Sequence, residues 1–278
     1  MKKTILLVFS FSLLVFLGGC DKIESDQYWV YSGVSGQWQD YSGAVDPQQR
    51  VFVEKYTGVG CVNCPKADTV LHEALDKYHG NLILVAVHAG PFANPIGSDP
   101  SLSCPEAEAW HQYFGISAEP AAILMRSKAG AGAWDIFTPT SNFDDRIDAA
   151  LGSNSPIALS VAPFDTAGNT YARVAIEYKE DLSTPLSLTI VATEDSLLVT
   201  QKSSSGRIEN YPENHVLRCA ITDPWGLDVV ADGKQGTKRC ITLPLDIRNV
   251  TNTSRCHIVA FISEKDSRRI LNAATFKL

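Results

Sequence analysis

Two cysteines separated by two residues, set where a strand gives way to a helix, constrain this chain more than any other feature. The segment is Gly60-Cys61-Val62-Asn63-Cys64-Pro65. Before it, Arg50-Val51-Phe52-Val53-Glu54-Lys55-Tyr56 is rich in strand formers, and Thr57-Gly58-Val59-Gly60 reads as a loop. After it, Ala67, Val70, Leu71, Ala74, Leu75 and Tyr78 recur at helical spacing until Gly80 stops the pattern. Proline is tolerated in the first turn of a helix, where its missing N–H has no intrahelical duty. Pro65 therefore predicts a helix starting near Val62, with Cys61 at its N-terminus. Backbone N–H groups and the helix dipole stabilise a thiolate there, which lowers its pKa. Cys64, one turn later on the same face, is placed to resolve a mixed disulfide by internal attack.

The surrounding elements alternate in α/β fashion. Leu82 to Val87 is a continuous apolar run suited to a strand covered on both faces. A Pro- and Gly-rich loop over 90–103 leads to a short helix near Glu106–Phe114. Ala121 to Met125 is a further strand, with Ala133 to Phe137 as a partner, and Ser141-Asn142-Phe143-Asp144 opens a helix that runs to Leu151. The Gly-Ser-Asn-Ser-Pro stretch over 152–156 marks a boundary. Beyond Pro156 the pattern is strands alone: Ile157 to Val161, Tyr171 to Tyr178, Leu186 to Ala192, Val216 to Ile221, Cys240 to Ile247 and His257 to Ile262. They are short and separated by Gly, Asp, Asn and Ser turns, which predicts an antiparallel β-sandwich. The expected organisation is an α/β domain over 47–154 followed by an all-β, immunoglobulin-like sandwich over 155–278. Residues 20–46, with Trp29 and Trp38 among Gly, Ser and tyrosines, read as a tether that docks at its far end.

The first residues set the address. Lys2 and Lys3 precede an apolar run from Ile5 to Phe16, closed by Leu17-Gly18-Gly19-Cys20. A basic start, a short apolar stretch and small residues at a cleavage point make a secretory signal over 1–19, too short to span a bilayer. The last four residues resemble the lipobox cut by the lipoprotein signal peptidase, which implies cleavage before Cys20 and a diacyl group on its sulfur. Membrane attachment through that lipid is the expected partner contact. A net charge of −7 gives no general attraction to nucleic acid. Of seven cysteines, setting aside Cys20 leaves an even six, which fits an oxidising compartment. Once Cys61 and Cys64 are set apart, Cys104, Cys219, Cys240 and Cys256 allow three pairings, which the strand pattern does not resolve.

The order strand, Cys-x-x-Cys helix, strand, helix, strand resembles the thioredoxin fold. In that family a cis-proline faces the dithiol, and Gly115-Ile116-Ser117-Ala118-Glu119-Pro120-Ala121 implies Pro120 for the role. A closer resemblance covers nearly the whole chain. Val53-Glu54-Lys55-Tyr56-Thr57-Gly58, Ala86-Val87-His88-Ala89-Gly90, Asn214-His215-Val216-Leu217-Arg218 and Cys256-His257-Ile258-Val259-Ala260-Phe261 look like the twenty-eight-kilodalton outer-membrane lipoprotein family of Gram-negative anaerobes. That resemblance implies a thioredoxin-like domain, an all-β C-terminal domain and an outer-membrane location, whereas Asp21 after the lipidated cysteine favours inner-membrane retention in enteric bacteria. Two departures stand out. Thioredoxins usually have Trp before the first cysteine, where this chain has Gly60. Their buried carboxylate lies six residues before that cysteine, where this chain has Lys55, with Glu54 beside it. Lys55 would favour the thiolate and Glu54 would take a proton from Cys64, but neighbours on a strand face opposite ways, so at most one lies beneath the dithiol. The plainer reading makes both of them surface charges.

The same residues admit rival readings. Cys61, Cys64, His88 and Cys104 supply enough ligands for zinc, but no second ligand pair supports it, and no metal or cofactor is expected. His88 alone reads as an auxiliary to the dithiol or as a strand-end histidine bonded to backbone. His72 and His79 read as solvent-facing, and His215 and Arg218 as a capped or salt-bridged strand end. Two functions follow. In one, Cys61 is the nucleophile of a thiol-disulfide oxidoreductase, Cys64 resolves, and the partner is an unidentified protein thiol or disulfide. In the other, the sandwich is a binding or adhesion module and the dithiol is a static bridge.

Overall fold

The computed structural model describes residues 36–140, 142–230 and 233–278; the leader expected over 1–19, Cys20 and Trp29 lie outside them. In chain order the elements are β1 Gln39–Asp40, β2 Val51–Thr57, α1 Cys64–Tyr78, β3 Leu82–His88, α2 Pro105–Phe114, β4 Ala121–Lys128, β5 Trp134–Phe137 and α3 Phe143–Leu151. The remainder is strand: β6 Ile157–Thr166, β7 Asn169–Tyr178, β8 Leu186–Glu194, β9 Leu197–Ser203, β10 Gly206–Glu213, β11 Val216–Ala220, β12 Leu227–Asp228, β13 Lys238–Pro244, β14 Cys256–Glu264 and β15 Ile270–Lys277. The protein is mostly β-sheet.

The apolar runs around the dithiol become the two most covered strands of the first half, with every residue of β2 and β3 buried. These strands pair in parallel, which requires a crossover, and α1 supplies it. Strand β4 then runs antiparallel to β2, and β5 pairs with β4, as the sequence predicts, in antiparallel register. Helices α1 and α3 share one face of this sheet. Tyr78 of α1 donates its hydroxyl to Asp148 of α3 at 2.8 Å, and Lys77 pairs with Asp144 at 2.7 Å. Helix α2 covers the other face, where Trp110 meets Phe261 of β14 with ring centroids 6.2 Å apart.

The halves on either side of residues 152–156 share one sheet. Its order is β15-β14-β8-β11-β3-β2-β4-β5, with β12 added against β8. The join is β11 on β3, with Val216 opposite Ala86 and Ala86 N–H donating to the His215 carbonyl at 2.8 Å. A second sheet, β1-β13-β7-β6, packs across the far half. Ile157, Leu159, Val174 and Ile176 of that sheet share a core with Leu188, Ile190, Ile258 and Ile262 of the long one. Strand β1 comes from the segment read as a tether and pairs Gln39 with Cys240 and Asp40 with Arg239. Strands β9 and β10 form a separate hairpin. The sequence pattern predicts neither of them, nor β15.

Candidate functional site

Cys61 and Cys64 are joined by a disulfide, with their Cα atoms 5.4 Å apart. The helix begins at Cys64, two residues later than Pro65 alone suggests. Residues 61–64 form a turn of their own, in which Cys64 N–H donates to the Cys61 carbonyl at 3.3 Å. Cys61 N–H is already spent on the Gly58 carbonyl at 2.9 Å, so Cys61 stands just ahead of the helix. Gly58 and Gly60 are needed for close approach. A side chain on Gly58 would sit 2.3 Å from the Phe92 backbone, and Gly60 donates its N–H to the Phe92 carbonyl at 2.8 Å. The half-exposed Phe92 ring thus lies over the position where thioredoxins carry Trp.

Pro120 shares a groove with the first turn of the dithiol helix. The Glu119–Pro120 peptide is cis. Both residues line an open groove of about 480 Å³, together with Asn63, Lys66 and Ala67 from the start of α1.

Glu54 and Lys55 are not surface charges. They are 0% and 3% exposed, on opposite faces of β2, as strand alternation requires. Glu54 faces α2 and accepts from Arg126 Nε at 3.0 Å and Nη2 at 2.5 Å. The Arg126 guanidinium lies 4.6 Å from the Trp110 ring and 5.0 Å from Phe114, a cation–π cage that makes its burial tolerable. Met125 and Arg126 both have left-handed backbone, and the bulge they make between Ile123 and Lys128 re-aims the arginine.

Lys55 faces α1 and pairs with Asp68, one turn beyond Cys64. Of the two residues, Lys55 is the one on the dithiol helix's side. Burial pushes its ammonium down, but the Asp68 and Glu213 carboxylates outweigh that and hold its pKa above the usual lysine range. Tyr211 of β10 donates to the second Asp68 oxygen at 2.9 Å. His88 ends β3 fully buried, with Nε2 3.4 Å from Glu213. Burial raises the Glu213 carboxyl, yet His88 and Lys55 bring it to about 2.

Tyr211 and Glu213 belong to the β9–β10 hairpin, which also roofs the dithiol. Gln201 of β9 donates Nε2 to the Cys61 carbonyl at 2.9 Å, and Lys202 N–H donates to the Val59 carbonyl at 2.8 Å. Val59 packs with Leu102, Leu197, Val199 and Val216 in a small apolar cluster. Under this roof Cys61 is 2% exposed and Cys64 1%. Sequence reasoning missed the hairpin, and with it Gln201, Tyr211, Glu213 and their partner Asp68.

The remaining candidates are dispersed. Cys104, Cys219, Cys240 and Cys256 are unpaired; Cys219 on β11 and Cys256 on β14 flank the same strand, β8. Cys104 Sγ faces the Leu217 carbonyl, Cys219 Sγ accepts from Arg248 N–H, Cys240 lies on the second sheet, and Cys256 Sγ faces the Asn252 carbonyl. Burial pushes the Cys104 thiol up to about 12 and the Cys256 thiol to about 11, which disfavours their thiolates. Among the described residues no three or more His, Cys, Asp or Glu side chains are gathered as a metal site requires. His72 and His79 are exposed on or just after α1. Arg218, in the middle of β11, pairs with Glu194 at 3.3 Å, whereas His215, just before that strand, lies 3.6 Å from Asp195 with its imidazole pKa lowered to about 4 by burial.

The sequence profile of the family described as outer membrane protein Omp28 matches residues 107–278, more than half the chain. That span begins inside α2 and leaves out the dithiol. No curated protein matches in sequence. Among solved structures, HBP35 of Porphyromonas gingivalis is similar at a TM-score of 0.65 and 18% identity, covering 84% of this chain and 77% of that one. A structural-genomics protein of Agrobacterium tumefaciens is similar at a TM-score of 0.53 and 18% identity, covering 84% and 96%. Identities this low establish the shared fold and nothing finer.

Proposed function

The chain belongs to the Omp28 outer membrane protein family, and from that premise we propose that it carries out thiol–disulfide exchange at Cys61 and Cys64 while anchored in the outer membrane by a lipid on Cys20. In this reading residues 1–19 are a cleaved signal, 20–46 a tether, 47–154 a thioredoxin-like unit and 155–278 an immunoglobulin-like sandwich. The order β3-β2-β4-β5, with β2 and β3 parallel and helices on both faces, supports the thioredoxin-like assignment. The observation that carries the function is the shared groove: the first turn of the dithiol helix and the cis-Pro120 peptide line one opening. An extended client chain laid there would bring its sulfur toward Cys61, and Cys64 would resolve the mixed disulfide.

Trapping tests this reading. Cys64→Ala should accumulate mixed disulfides on Cys61, and Cys61→Ala none. In the reduced protein Cys61 should alkylate with a pKa in the range of about 3.5–7.5. Two equally slow thiols and no trapped partner in either variant would refute it. Cys20→Ala should abolish both fatty-acid labelling and membrane retention; unchanged labelling would remove the lipid anchor.

A second reading has its own support: the disulfide is roofed by β9 and β10, and the family match does not include it. The protein would then be a binding or adhesion module with a static bridge. The reduction potential separates the two. A value between about −270 and −120 mV marks an exchanging couple, and one below about −300 mV a structural bridge.

A further inference from the structure

The groove beside the dithiol contains a buried acid that the exchange chemistry above does not use. Glu119 precedes cis-Pro120, and its side chain is 2% exposed. Its Oε2 is buried with no hydrogen-bond partner among the described residues. Its Oε1 lies 3.4 Å from His111 Nε2, a contact that makes no hydrogen bond. We propose that Glu119 is the proton-exchanging group of the Cys61–Cys64 dithiol, taking the Cys64 proton as that sulfur attacks the mixed disulfide on Cys61. The inference rests on the exchange reading.

The surroundings explain why this carboxyl is suited to the role. A carboxylate without hydrogen bonds in a buried place is costly, so the group drifts toward its neutral form. The charged and titratable groups around it come from three elements. Helix α2 contributes His111 and Glu108, β2 contributes Lys55, and α1 contributes the exposed Lys66 on the groove's rim. Burial keeps the His111 imidazolium disfavoured, so that neighbour is neutral near pH 7 and gives little charge compensation. Glu108 turns toward Gly90 N–H and the Ser103 hydroxyl, and its charge opposes ionisation of Glu119. Lys55 acts the other way. Burial first, then Glu108, against Lys55, leaves the Glu119 carboxyl at about 7. A group poised at the operating pH is the most effective proton donor and acceptor. Lys55 also links it to the dithiol helix, because the same ammonium pairs with Asp68 one turn past Cys64.

The chemistry balances as follows. The dithiol, regenerated by a thiol reductant, starts with Cys61 as thiolate, Cys64 as thiol and Glu119 protonated. Cys61 sulfur attacks a client disulfide; a Cys61–client bond forms, the client S–S bond breaks, and the departing thiolate takes the Glu119 proton. Cys64 then gives its proton to Glu119 while its sulfur attacks Cys61. The Cys61–Cys64 bond forms, and the second client thiolate leaves with the proton Glu119 has just received. The client disulfide has been reduced to two thiols, and the dithiol oxidised to the bridge.

The test uses the full reduced chain and oxidised glutathione as client, with the glutathionyl adduct on Cys61 followed by rapid quench and mass spectrometry between about pH 5 and 9. In the wild type, resolution of the adduct should rise and then level near neutrality. Glu119→Gln should slow resolution about 10- to 100-fold at neutral pH and move the inflection to the thiol's own range near 8.5. Glu119→Asp should recover part of the rate. A Glu119→Gln profile that superimposes on the wild type overturns the proposal. Should that variant fail to fold, carboxyl NMR of the wild type decides: reduction of the dithiol must shift the Glu119 midpoint, since coupling between two sites is reciprocal. An unchanged midpoint overturns it equally. An adduct that forms and resolves with no trace of Glu119 sinks this inference alone. If no adduct forms on reduced wild type or on Cys64→Ala, the exchange reading fails and this inference with it.

Discussion

If the dithiol exchanges at all, the β9–β10 hairpin must lift, and Val199→Ala measures that directly. Val199 is 2% exposed and closes the apolar cluster that pins β9 to Val59, two residues before Cys61. Val→Ala removes two buried carbon groups at about 0.8 kcal/mol each, and the residual cavity adds to that, for a total of about 2 kcal/mol. This cluster is separate from both main cores, so the loss falls mainly on the hairpin. With each 1.4 kcal/mol worth tenfold, the lifted fraction should rise about 30-fold. Reduction of Cys61–Cys64 by dithiothreitol, followed by mass-tagging the freed thiols, should accelerate by that factor. Gln201→Ala removes one hydrogen bond to the Cys61 carbonyl, worth about 1 kcal/mol, and should give about fivefold. Leu198→Ala is the control, because Leu198 is 58% exposed and holds nothing down. Reduction at the wild-type rate in Val199→Ala would show that the roof does not govern access.

Three further outcomes follow from the buried charges and the shared sheet. Arg126→Met strands the Glu54 carboxylate in the core and should cost about 3–5 kcal/mol, a drop of about 10 °C in melting temperature, largely restored by adding Glu54→Gln; an unchanged melting point would refute the pairing. Glu213, at about 2 in the fold against an ordinary value of 4.5, contributes stability that is fully present above about pH 4.5 and lost as the pH falls toward 2, on the order of 3 kcal/mol. Glu213→Gln should flatten that acid limb in urea titrations, and parallel curves would contradict it. Residues 47–154 expressed alone should lack cooperative unfolding, because Val191, Leu217, Val259 and Phe261 complete their core; a folded fragment would show the shared sheet to be dispensable.

How legible each part was in the sequence depends on its pattern. β3 and α1 stood out because their apolar residues run continuously or recur at helical spacing, and both are packed as that requires. β10 did not, because Gly206-Arg-Ile-Glu-Asn-Tyr-Pro-Glu213 has no apolar alternation and is exposed along nearly all its length. A strand that buries only its last residue leaves no periodic trace. The charge of Glu54 and Lys55 argued for the surface, since a sequence shows a charge and not its distant partner. Arg126 lies 72 positions from Glu54, and Asp68 sits 13 from Lys55 on a different element. The fold was therefore readable where its pattern is local, and the buried partners that hold the site together were not.

The hairpin also joins two questions that the sequence keeps apart, namely what the dithiol does and why an all-β half follows it. Tyr211 and Glu213 reach beneath the dithiol helix to Asp68 and His88, while Gln201 bonds the loop that carries Cys61. The C-terminal half therefore holds the site from above and below. A purely structural bridge needs neither, since two cysteines one turn apart close without help. A purely adhesive C-terminal half has no use for a tyrosine and a glutamate in the polar cluster around Lys55. Both features make sense if exposure of Cys61 is controlled from β9 and β10. Any ligand that binds the sandwich and shifts that hairpin would change the rate at which the disulfide is reduced, and by reciprocity the redox state would change the affinity for that ligand.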